Sequence, residues 1–265
     1  YTLANKITFT ANTRTQLELR NIGYVSGLEL EMKITYNTGG SPAPKEDALA
    51  RIIKGLRVTS SSAINHWDCT DGRQLLYRNY LHYQGQVTNT GVSTTASQTG
   101  LIARLALVIH WGLNPYTLND PSVVLPTPKL ANPILEVTWG ASSDLGTDYT
   151  ITAGEISVTV REVALDVAAG ETEANVWSAG IPSPRVVVRK LDLTSTASNL
   201  GLEDDVPVGD NVIDTMVMVF NSSDNKADDQ ISQIGIKFPR LRYTPFTLDW
   251  YNFKSLIRRQ MAIPA

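Results

Sequence analysis

The sequence is poor in the residues from which disulfide frameworks, metal sites and nucleophilic centres are built. It has one cysteine, Cys69, in 265 residues, so no intrachain disulfide can form. That fits a chain that folds in a reducing cytoplasm. A lone thiol is by itself no sign of a nucleophile. The three histidines are His66, His82 and His110, and no two share the spacing of a zinc-binding helix. No Gly-x-Ser-x-Gly elbow and no phosphate-binding glycine loop occurs. Charged residues make up only 18% of the chain and the net charge is −3, so the basic footprint of a nucleic-acid binder is missing. The longest apolar run, "LIARLALVIHWGL", is too short to cross a bilayer as a helix and contains Arg104. It reads as a buried strand.

What is present favours strands and turns. Thr, Ser, Asn, Gly and Val are abundant. Alternating apolar and polar residues predict half-buried strands over 13–23 and 27–40, a third over 49–62, and further strands near 102–111, 134–139 and 155–165. Residues 87–100 form a Ser/Thr/Gly-rich loop, and two proline-rich turns lie within 112–133. Seven or eight strands with long connections suit a sandwich or jelly roll better than a barrel made of hairpins. One helix interrupts this pattern, "DGRQLLYRNYLHYQG" over 71–85, with Leu75, Leu76, Tyr80 and Tyr83 near the helical period.

Residues 166–185 show no period and read as a linker. Strands resume over 185–196, 211–225 and 230–243, and a helix follows over 247–261, capped by Thr247 or Asp249. The two parts share an order. "RIIKGLRV", "HWDCTDGR" and "QLLYRNYL" in the first correspond to "QIGIKFP", "FTLDWYNF" and "KSLIRRQM" in the second. Each is a strand, a bridge holding Trp near Asp, and a helix, and each follows an apolar strand that ends in an Asn-containing turn. The recurrence indicates internal duplication.

The stretches "ANTRTQLELRNIGYVSGLELEMKITYNTGG" and "ALARIIKGLRVTSSSAINHWDCTDGRQLLYRNY" resemble the front half of a jelly roll in the double jelly-roll major capsid proteins. These build the shells of tailless, membrane-containing icosahedral viruses of bacteria and archaea. The resemblance implies an all-β fold of two tandem jelly-roll barrels side by side, each with a flanking helix. The first would span 1–168, the linker 169–185, and the second 186–265, incomplete at its C-terminus. It further implies a structural protein rather than an enzyme, with no cofactor. Such a chain forms homotrimers, pseudo-hexagonal capsomers that tile a shell. Its partners would be neighbouring capsomers, minor capsid or vertex proteins and an internal viral membrane, with no sequence-specific nucleic acid. It would be made in the host cytoplasm and reside in the virion capsid.

On this reading each helix covers an open end of its barrel and offers a face to the next. Arg73, Arg78 and Asn79 are then expected on the outer side of the first helix as contacts between neighbours, and Arg258 and Arg259 in the matching place of the second. Loops 87–100 and 112–133 are expected to form towers or trimer contacts. Acidic turns raise calcium as a candidate ligand, at Asp224, Asp228 and Asp229. A competing class is a carbohydrate-binding β-sandwich, because Trp67, Trp111, Trp139, Trp177 and Trp250 could stack on sugar rings if exposed. Glycosidase chemistry would also need two carboxylates across a cleft. Glu29 and Glu31 share one strand face and Glu155 and Glu162 lie on opposite ones, with no aromatic beside them. Trp139 follows the alternation of a core strand, and Trp67 and Trp250 recur at equivalent points, which suggests packing.

Overall fold

A computed structural model describes residues 2–19, 24–61, 65–83, 85–111, 124–163, 217–227, 231–236 and 246–261. Nine strands build the first part: β1 (Thr2–Thr8), β2 (Arg14–Glu18), β3 (Tyr24–Pro44), β4 (Ile53–Thr59), β5 (Asn65–Cys69), β6 (Leu101–His110), β7 (Leu125–Pro126), β8 (Ile134–Trp139) and β9 (Gly146–Val163). Among the described residues three α-helices lie between them, α1 (Ala48–Arg51), α2 (Gly72–His82) and α3 (Ser142–Leu145), with a 3-10 turn at Thr127–Lys129. After residue 217 come β10 (Gln233–Ile236), β11 (Phe246–Asp249) and α4 (Trp250–Met261).

The strand pairing is nested. β1 pairs with β9, β2 with β8, β3 with β6 and β4 with β5, all antiparallel. That is one long hairpin rolled up on itself. It yields two sheets, β1-β9-β3-β6 and β2-β8-β4-β5, with β7 against the start of β3. This is the jelly-roll order, and α2 occupies the crossover from β5 in one sheet to β6 in the other.

Alternation explains the core. β3 turns Leu28, Leu30, Met32, Ile34 and Tyr36 inward, and β6 turns in Ala103, Leu105, Leu107 and Ile109. The facing sheet answers with Leu56, Val58, Trp67, Leu135, Val137 and Trp139, all buried. The polar positions between them face out and pair across strands: Lys6 with Glu155 at 2.9 Å, Arg161 with Glu29 at 2.8 Å, and Arg104 with Glu31. Solvent-exposed pairs such as Lys6 with Glu155 contribute little to stability.

Two sequence expectations change. Residues 49–62 are not one strand, because α1 takes Ala48–Arg51 and β4 begins only at Ile53. The bridge "NHWDC" is a strand, paired to β4 through Leu56↔Cys69 and Val58↔Trp67. The N-terminal segment Thr2–Thr8 is strand β1, paired with β9, and Ile7 on it is buried. The expected linker at 169–185 and the strand at 185–196 lie outside the described residues.

The second part repeats the β4–β5–α2 order. β10 pairs antiparallel with β11 through Gln233↔Asp249, and α4 follows at once. Each helix is capped by aspartate: Asp71 Oδ1 accepts from Arg73 N at 2.9 Å, and Asp249 Oδ1 accepts from Tyr251 N at 3.0 Å and Asn252 N at 3.2 Å. Of the two expected caps, Asp249 is the one used.

Candidate functional site

The site is the face built by α1 and α2. Gly72 lets α2 start tight against α1: a Cβ there would lie 2.3 Å from the Ala50 carbonyl oxygen and 2.8 Å from the Ile53 Cβ. Leu75 and Leu76 then enter the core. The expected outer face does not exist at Arg73 and Asn79. Both are buried, and each has a partner within this chain.

Asn79 closes a sheet edge. Among the described residues β6 is the last strand of its sheet, with no named strand on its other side. The Asn79 amide donates to the Val108 carbonyl at 2.8 Å and accepts from Val108 N–H at 2.6 Å, as a neighbouring strand's peptide group would. Further along, Ala106 N donates to Thr88 O at 2.9 Å, Thr90 N to Arg104 O at 3.0 Å, and Arg104 N to Thr90 Oγ1 at 2.9 Å. Part of the expected loop 87–100 therefore lies along this edge instead of standing away from it.

Arg73 and Arg51 face an anion from the second part of the chain. Residues 217–227 form a tight hairpin: Phe220 and Lys226 form a bridge, and Ala227 N donates to Val219 O at 3.1 Å. Its tip is organised by Asn221, whose Oδ1 accepts from Ser223 N at 3.0 Å and Asn225 N at 3.1 Å. Asp224 sits at the tip with φ of 61°, in the left-handed region. Its carboxylate meets Arg51 Nη1 and lies 3.2 Å from Arg73 Nη2. Its carbonyl also accepts from both arginines. Arg73 is held in place by Asp71 at 2.7 Å and stacks 4.5 Å from the Phe220 ring centre. Lys226 N donates to Glu46 Oε2 at 2.6 Å, and its ammonium lies 4.6 Å from the Tyr77 ring centre. Tyr77 in turn donates to Asp47.

Burial pushes the Asp224 carboxyl up, but the Arg51 hydrogen bond and the charges of Arg73 and Arg51 outweigh it and hold the group below its ordinary range. This corrects the calcium candidate at Asp224, since two guanidinium groups disfavour a cation there. Asp228 and Asp229 lie outside the described residues. Beside the hairpin is a cavity of about 560 Å³, lined by Tyr77, Tyr80, Leu81, Met218, Val219 and Trp250 among others.

Arg78 stacks over Trp67, its guanidinium carbon 4.9 Å from the ring centre. The Arg258 and Arg259 side chains lie outside the described residues. Cys69 is buried, and burial pushes its thiol up to about 12, which suits packing and not nucleophilic attack. Trp67, Trp111, Trp139 and Trp250 are all buried, and Trp177 lies outside the described residues. Sequence reasoning missed Arg51 and its link to Asp224. The available signals were an arginine inside the otherwise apolar "LARII" and an Asn-rich turn carrying one acid, but no local pattern joins them.

No family model matches the chain, and no curated protein matches it. Among solved structures it is similar to the major capsid protein of Sulfolobus Turreted Icosahedral Virus, at 10% identity over 99% of this chain and 80% of that one, with a TM-score of 0.69. A structure from the atomic model of that virus matches at 13% identity over 61% of this chain and 44% of that one, TM-score 0.49. The PBCV-1 virus capsid matches at 13% identity over 59% and 42%, TM-score 0.35. The nested strand order, the repeated strand–strand–helix unit and the first of these likenesses together give the chain the double jelly-roll fold of that major capsid protein.

Proposed function

We propose that this chain is a structural subunit of a virus shell, a major capsid protein that trimerises into pseudo-hexagonal capsomers. The observation that carries the reading is the likeness of nearly the whole chain, both parts together, to one capsid subunit. Two jelly rolls side by side, divided at 169–185, give a trimer six similar barrels, which suits hexagonal tiling. Apolar burial between barrels supplies the association energy, at roughly 25 cal/mol per Å² before association costs. Arg78, Arg258 and Arg259 serve on this reading as polar contacts between neighbouring subunits. Minor capsid or vertex proteins and an internal membrane are its further partners, and the virion is its location. The role is structural and not enzymatic: the outward carboxylates Glu29, Glu31 and Glu155 are paired with cations on an open sheet face.

No observation favours the carbohydrate-binding alternative, since its four described tryptophans are core residues. Native mass spectrometry with negative-stain electron microscopy tests the reading. Trimers that assemble into hexagonal arrays are expected. A monomer at all concentrations that binds a glycan array would overturn it.

A further inference from the structure

We infer that the α1–α2 face is a receptor for an acid-tipped hairpin, and that hairpin 217–227 is the clasp holding the second part of the chain on the first barrel. The inference stands apart from the capsid reading, because it concerns contacts within one chain. Three observations carry it.

First, Arg51 and Arg73 are each 7% exposed, yet both guanidinium groups converge on a single residue that lies far away in sequence. Arg73 keeps Asp71 without Asp224, but Arg51, whose other bond is to the Glu46 carbonyl, would be a nearly buried cation with no carboxylate to meet it. Second, the grip is specific to a turn. Both arginines bind the Asp224 carboxylate and also its main-chain carbonyl, which the left-handed tip presents on the same side. A planar guanidinium fork can make such paired bonds, and an ammonium cannot. Third, the rest of the hairpin is anchored beside the tip, with Phe220 under Arg73 and Lys226 against Glu46, Asp47 and Tyr77. Asp224 thus faces Arg51 and Arg73 across the contact, with Asp71, Glu46 and Asp47 behind them and Lys226 on its own hairpin.

The test is hydrogen exchange on the full chain. In Asp224→Ala, amides of 217–227 are expected to exchange at least tenfold faster while those of β3, β6 and β9 stay within twofold of wild type. Arg51→Lys is expected to fall between the two. Exchange of 217–227 at the wild-type rate in Asp224→Ala overturns the inference. A second measurement needs no destabilising change at the arginines: oxidation of a Glu46→Cys, Lys226→Cys chain, read on a non-reducing gel. An intramolecular crosslink supports the clasp. No crosslink, or a dimer-sized product, overturns it.

Discussion

The β4–β5–α2 unit and the β10–β11–α4 unit follow one local recipe and end in different surroundings. Both are an antiparallel strand pair that runs into an Asp-capped helix. In α2, Arg73, Leu75, Leu76, Tyr77 and Asn79 are all buried, because α1, β6 and the 217–227 hairpin crowd it from several sides. In α4, Trp250 is buried while Tyr251 is 64% and Leu256 38% exposed. Periodicity and capping set where each helix begins. Neighbours set which of its sides sees water.

That contrast can be broken or sharpened by substitution. The largest difference is expected in the core. Leu76→Ala should cost about 2–5 kcal/mol of unfolding free energy, whereas Leu256→Ala should cost less than about 1 kcal/mol. Chemical denaturation of the two variants checks this, and equal losses would erase the distinction. Next comes the sheet edge. Asn79→Ala strips both partners from Val108 and should cost about 2–4 kcal/mol, while Asn252→Ala on α4 should stay within about 0.5 kcal/mol.

The caps should behave alike. Asp71→Ala and Asp249→Ala are each expected to cost about 1 kcal/mol, with Asp71 the more damaging because it also holds Arg73. Thermal melts would show whether the order holds. The smallest expected effect is the response to mild acid. All three histidines belong to the first part of the chain. Burial lowers the His66 pKa from its ordinary 6.5, and its Nε2 sits 3.0 Å from Ser60 Oγ. The unfolded chain therefore takes up a proton first. The stabilisation is full above the ordinary value and is lost as pH falls through the lower folded value. Stability should decline below about pH 6.5, and a His66→Gln variant should flatten that slope in melts taken across the range.

Much of the front barrel was legible in the sequence, because burial on one face of a sheet writes a period of two into it. "GLELEMKITY", "LIARLALVIH" and "ILEVTW" fall inside β3, β6 and β8 almost residue for residue. β5 was not legible: in "NHWDC" both His66 and Trp67 are buried, which breaks the alternation. α1 and α3 are four residues each, too short to show a period. Arg73 and Asn79 were misplaced for a physical reason. A polar residue on a helix reads as solvated, but these two are satisfied by Asp71, Asp224 and the β6 backbone. Asp71 lies within a local window, but Asp224 and the β6 backbone are brought in by long-range topology, which no local window contains.

A protein crowded against copies of itself risks zipping into ribbons wherever a strand offers bare peptide groups. Along β6, residues 104, 106 and 108 already have their amide hydrogens engaged, one of them by a single side-chain amide. At these three positions the amide hydrogens are not offered to an incoming strand. Asn79 guards one of these three positions, and residues 88–90 guard the other two.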